Sequence, residues 1–89
     1  MNVTVAFTTQ LKAAIGMSEQ AITLPESATV GDALEHLATQ HPQPFNDMVL
    51  SDGELLPSIL ISVNDQQVDE KAALAEGDVL TLLSAISGG

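Results

Sequence analysis

The chain has 89 residues, enough for one domain around a single small core, and no cysteine, so neither a disulfide nor a thiolate nucleophile enters its chemistry. Twelve acidic side chains stand against Lys12 and Lys71 alone, a formal charge of -10; such a surface repels phosphate backbones, which excludes nucleic acid, and attracts a protein with a basic face. Residues 1 to 20 lack a basic start followed by an apolar stretch, and no run approaches the ~20 apolar residues of a membrane span, so a soluble, cytoplasmic protein is expected.

The first segment alternates, with Val3, Val5 and Phe7 on one face and Asn2, Thr4, Ala6 and Thr8 on the other, the period of a half-buried strand. Residues 9 to 19 contain Gly16 and polar groups and read as a turn. Ala21 to Leu24, closed by Pro25, reads as a second strand forming a hairpin with the first. The period then changes. Val30, Ala33, Leu34, Leu37 and Ala38 make one apolar stripe on a helix spanning about 29 to 40. Thr29 is its expected N-cap, Asp32 completes a capping box, and Pro42 in the stretch HPQP stops it.

Residues 42 to 57, with three prolines and the Asp52-Gly53 turn signal, read as an ordered but irregular connection. From Ser58 the run ILISVN puts Ile59, Ile61 and Val63 on one face and Leu60 on the other, and is expected to be the most buried strand. Asn64-Asp65 turns the chain, and a short strand is expected around Gln67 to Asp69, with Val68 reaching the core. Ala72 to Leu74 reads as a short helical turn, Glu76-Gly77-Asp78 as a reversal, and Val79 to about Leu83 as the final strand. These elements describe one α+β domain over residues 1–89: a mixed sheet of four to five strands with one main helix across one face and parallel pairing in the middle, which is a β-grasp fold.

The chemistry-bearing residue types form no catalytic constellation. His36 lies on the polar face of the helix and His41 at its stop, neither with an implied partner. The cluster Asp65, Asp69 and Glu70 lacks the ligand alternation and central glycine of a calcium loop, so no metal site is expected. No serine sits in a nucleophile elbow, and the glycines at 16, 31, 53 and 77 are isolated rather than gathered in a phosphate loop. No bound cofactor is implied and the chain does not read as an enzyme.

The end LLSAISGG is different, because Gly88 and Gly89 follow a strand with only Ser84, Ala85, Ile86 and Ser87 between. A strand leaving a sheet as an arm over 84–89 presents its carboxylate to a narrow cleft, and glycines without Cβ let that cleft close on the backbone. A carboxylate is a poor acyl donor until ATP converts it to an acyl-adenylate. If an enzyme makes that adenylate, a sulfur nucleophile can displace AMP, and the product would be a thiocarboxylate. The remaining question is docking. If Leu80 and Leu82 face the helix, Val79, Thr81 and Leu83 face outward near Leu60, an apolar patch in acidic surroundings that suits a partner surface.

The strand ILISVN, the following DQQV and the segment EGDVLTLLSAISGG resemble, in this order, the ubiquitin-like sulfur carrier proteins of the MoaD/ThiS family. The resemblance implies that Gly89 bears the carboxylate that is adenylated and thiolated, that Gly88 fits the activating enzyme's channel, and that Ser84 to Ser87 form the arm. It also implies partners: an E1-like adenylating enzyme of the MoeB/ThiF type using ATP and magnesium, a sulfur donor enzyme, and a downstream sulfur-acceptor enzyme. Leu82-Leu83 and Ser84-Ala85 stand where carriers of the molybdopterin synthase type commonly have aromatics and paired prolines. The 42 to 57 connection is closer to carriers serving cysteine, homocysteine or thio-siderophore synthesis. A thiamine or molybdopterin pathway, a permanent small subunit of molybdopterin synthase, and a ubiquitin-like protein modifier remain open at this point.

Overall fold

The structure is a computed structural model that describes residues 1–51 and 54–84. In chain order the elements are β1 (Asn2–Phe7), α1 (Thr9–Ile15), β2 (Glu19–Thr23), α2 (Val30–Gln40), α3 (Pro42–Met48), β3 (Leu50–Ser51), β4 (Glu54–Leu55), β5 (Ile59–Val63), β6 (Gln66–Val68) and β7 (Val79–Ser84). Five strands form one mixed sheet in the order β2-β1-β7-β5-β6, and β3 and β4 form a separate small hairpin. The expected β-grasp architecture is present.

The alternation in β1 does what its period implies: Val3, Val5 and Phe7 are buried, and Asn2, Thr4 and Ala6 are not. β1 pairs antiparallel with β2 and parallel with β7, with Val5 opposite Leu80 and Phe7 opposite Leu82. The central parallel pair thus joins the first and last strands rather than the two that flank the helix, because β5 pairs with β7 antiparallel. Val30, Ala33, Leu34 and Leu37 bury the stripe of α2 on this sheet. The capping box is formed: the Thr29 amide donates to Asp32 Oδ2 at 2.9 Å and the Asp32 amide to Thr29 Oγ1 at 3.3 Å.

Four expectations are corrected. Residues 9 to 15 are helical, not a turn; Leu11 and Ile15 fall one turn apart on the inner side, and Gly16 at φ 90° closes the helix in the left-handed conformation. A helix of two turns is too short for periodicity to announce itself.

The connection after Gln40 is also more regular than expected. Pro42 stops α2 and at once starts α3, since proline is preorganised for a first helical turn. Phe45 and Val49, four residues apart, are buried in the main core, and β3 and β4 follow. Asp52 and Gly53 lie outside the described residues.

The expected helical turn at Ala72 to Leu74 is extended instead. Ala73 bridges Thr29, the amide of Val30 donates to Ala72 O at 2.9 Å, and the amide of Gly31 to Glu70 O at 2.8 Å. The free donors of the first turn of α2 are thereby satisfied by loop carbonyls. That close approach favours a glycine, as a Cβ on residue 31 would meet Glu70 O at 3.2 Å and push the loop back by a few tenths of an ångström.

Finally, β5 is not the most buried strand. Ile59 and Ile61 are buried but Val63 is only partly so: β7 is the middle strand, and of its two neighbours β5 is flanked by the three-residue edge strand β6, whereas β1 is flanked by the five-residue β2. Smaller shifts accompany these corrections. β2 begins at Glu19, β6 spans Gln66–Val68, and β7 runs one residue further than expected, so Ser84 belongs to the strand, opposite Ile59, rather than to the arm.

Candidate functional site

β7 is buried on one face only. Leu80 and Leu82 are buried in the core, while Val79 is 39% exposed and Leu83 is 41% exposed on the outer face, with Leu60 of β5 at 37% directly opposite Leu83. Thr81 lies between them, opposite Ser62. The outward row read from the sequence is therefore assembled. The Leu60–Leu83 pair borders a hollow of about 210 Å³ that also has Thr81, Ser62, Gln67 and Asp65 in its lining.

Both ends of the strand are anchored by side chains. At its start, Asn64 bridges the β5–β6 turn to β7: its Nδ2 donates to Asp78 Oδ1 at 2.9 Å, and its Oδ1 accepts from the Val79 amide at 3.0 Å. The second oxygen of Asp78 accepts from the Ala75 amide at 2.8 Å, so the carboxylate also closes the preceding turn. At the far end β1 has finished at Phe7, which leaves the next carbonyl of β7 without a strand neighbour on that side. Thr8 Oγ1 fills the gap by donating to Leu82 O at 2.9 Å. Neither Thr8 nor the Asn64–Asp78 pair was singled out from the sequence. Asn64 announced itself only as a turn residue, and Thr8 as the outward end of an alternating strand.

The other candidates stay apart. His41 is stacked at 6.3 Å on Phe45, meets Phe7 edge-on at 6.3 Å, and has Gln20 Oε1 at 2.8 Å from its Nε2, a packed rather than a catalytic setting. Among the described residues the His36 ring on α2 has one hydrogen-bonding neighbour, Gln40 Nε2 at 3.4 Å from its Nε2. Asp69 accepts from the Lys71 amide, and no group of three or more potential ligands gathers among the described residues. Among the described residues no helix is long and apolar enough to cross a membrane. Residues Ala85, Ile86, Ser87, Gly88 and Gly89, on which the arm and the terminal glycines were placed, lie outside the described residues.

A β-grasp sheet whose central last strand runs toward the C-terminus with an apolar outer face narrows the choice of family, and the comparison with family models decides it. The ThiS family model matches residues 5–89. The chain belongs to the ThiS family. This ThiS-family chain is 40% identical over 62 residues to small archaeal modifier protein 1 of Haloferax volcanii, covering 70% of this chain and 71% of that protein. The crystal structure of the Haloferax volcanii protein superposes with a TM-score of 0.90 at 30% identity over the full length of both chains. A chain from the crystal structure of the Amycolatopsis orientalis BexX/CysO complex matches with a TM-score of 0.75 at 26% identity, covering 98% of this chain and 99% of that one. The protein is thus a ubiquitin-like member of a family of small modifiers and sulfur carriers.

Proposed function

We propose that this ThiS-family protein is a sulfur carrier whose reactive group is the carboxylate of Gly89. An E1-like enzyme uses ATP and magnesium to adenylate it: a carboxylate oxygen attacks the α-phosphorus and pyrophosphate leaves. A sulfide-equivalent nucleophile then attacks the acyl carbon, AMP leaves with the original oxygen, and a thiocarboxylate remains for a downstream acceptor. The fold needs no catalytic residue of its own in this scheme, since it presents and identifies the end. The observation that carries the reading is the family match running through Gly89 on a β-grasp whose central strand leads toward that end. The uncovered row Val79, Thr81, Leu83 and Leu60 supports docking to the adenylating enzyme through the outer face. The BexX/CysO complex, in which a similar chain is assembled with a partner, is in keeping with that role.

The test is intact-protein mass spectrometry after incubation with ATP, magnesium, the E1-like enzyme of the same genome and hydrosulfide. The expected result is a mass change matching exchange of one oxygen for sulfur, abolished when a residue is appended after Gly89. A thiolated product from the extended chain would overturn the assignment. A second reading, protein modification through an isopeptide bond to lysine, is favoured by the similarity to a small archaeal modifier. High-mass conjugates that disappear on deletion of Gly89 would establish it.

A further inference from the structure

The turn between β5 and β6 contains two residues in the left-handed region, Asn64 at φ 52° and Asp65 at φ 69°. Val63 pairs with Gln66, so these two residues are the whole loop, and in such hairpins glycine is the favoured second residue because a Cβ is strained there. Asn64 is accounted for by its bonds to Asp78 and Val79. Asp65 is not: it is exposed, and among the described residues its carboxylate takes part in no side-chain hydrogen bond. The nearby Asp78 has both oxygens engaged, by Asn64 and by the Ala75 amide. Asp65 is therefore the carboxylate that lines the outer-face hollow with its charge uncommitted. The hollow begins at the exposed Leu60–Leu83 pair, and the turn is about 13 Å further along the strand at roughly 3.3 Å per residue.

A turn residue in the left-handed region whose carboxylate is committed to nothing in the fold, placed at the rim of a hollow that is apolar at its Leu60–Leu83 end, points to recognition. We infer that Asp65 selects the activating partner: an apolar side chain of the E1-like enzyme enters the hollow over Leu60 and Leu83, and an arginine or lysine of that enzyme meets the Asp65 carboxylate at the turn. Charge complementarity favours a basic occupant, since a chain with formal charge -10 repels an acidic surface and attracts a basic one, and Leu60, Val79 and Leu83 are the exposed apolar residues that the described part of β5 and β7 offers it. This assignment rests on the carrier reading and names the determinant of its first step.

The experiment is ATP–pyrophosphate exchange by the E1-like enzyme of the same genome, with the parent chain, Asp65→Asn and Asp65→Gly as substrates at two salt concentrations. Asp65→Gly relieves the left-handed strain, so its melting temperature is expected to be no lower than the parent's. Misfolding then cannot explain lost recognition. Both variants should raise KM about two- to fivefold with kcat unchanged, and the rise in KM with added salt should be shallower than for the parent. Unchanged KM in both variants, or a fall in kcat alone, overturns the role of Asp65 while leaving the carrier reading in place. A parent chain that supports no exchange overturns the carrier reading, and this inference with it.

Discussion

Asn64 ties the β5–β6 turn to the first residue of β7 through two hydrogen bonds, and it does so from a left-handed backbone. Asn64→Ala removes both bonds and adds strain, with an expected loss of about 1–3 kcal/mol in urea denaturation, whereas Asn64→Gly loses the bonds but relieves the strain and should fall measurably less. Equal losses would mean that the backbone conformation contributes nothing. At the other end of the strand, Thr8→Val keeps the shape of the side chain and deletes the donor to Leu82 O. Amide exchange at Leu83 should then accelerate about tenfold, the equivalent of one modest hydrogen bond, with the distant β5–β6 hairpin unaffected. These residues hold the two ends of β7, and neither role shows itself in periodicity, because each acts on a neighbour brought close only by folding.

α2 is the element whose local chemistry and tertiary role agree most fully. Its N-terminus carries a complete capping box, and its next two donors meet carbonyls of the loop at 70 to 72. Thr29→Ala should cost about 1 kcal/mol and lower the melting temperature by about 4–8 °C, read by circular dichroism. A change below one degree would show that the loop carbonyls alone hold the helix end. α1 and α3 are the opposite case. Each has only seven residues, too few to stand alone, and each is helical because Leu11 or Phe45 is buried against the sheet side of the core. The same logic explains the extended course of Ala72 to Leu74: the segment forgoes a local helical turn to bridge Thr29 and to send the Leu74 amide to Ala28 O at 3.1 Å.

Taken as a whole, the molecule has two unlike faces. One side of the sheet is covered by α2 and the main core, and the other leaves Leu60, Val79 and Leu83 partly in water beneath a strongly acidic field. A single exposed leucine is ordinary; the cross-strand pair Leu60 and Leu83 beside a hollow is what the proposed docking rests on. Leu83→Glu puts a charge into that pair without touching the buried side, so thermal stability should stay close to the parent's while binding to the E1-like enzyme weakens at least several-fold in a titration calorimetry experiment. Unchanged affinity would move the docking surface elsewhere.

Much of this was legible before folding was considered. Alternation in β1, the apolar stripe and capping box of α2, the run ILISVN and the reversal before β7 follow from side-chain period and cap chemistry, which are properties of neighbouring residues. The outward row on β7 followed as well, since a strand with Leu80 and Leu82 inside must turn Val79, Thr81 and Leu83 out. Only the tertiary structure decided that α1 and α3 are helices, that β7 fills the middle of the sheet between β1 and β5, and that Asp65 shares a hollow with Leu60 and Leu83. Those outcomes depend on contacts between segments far apart in the chain, and short segments take whichever conformation buries their few apolar side chains.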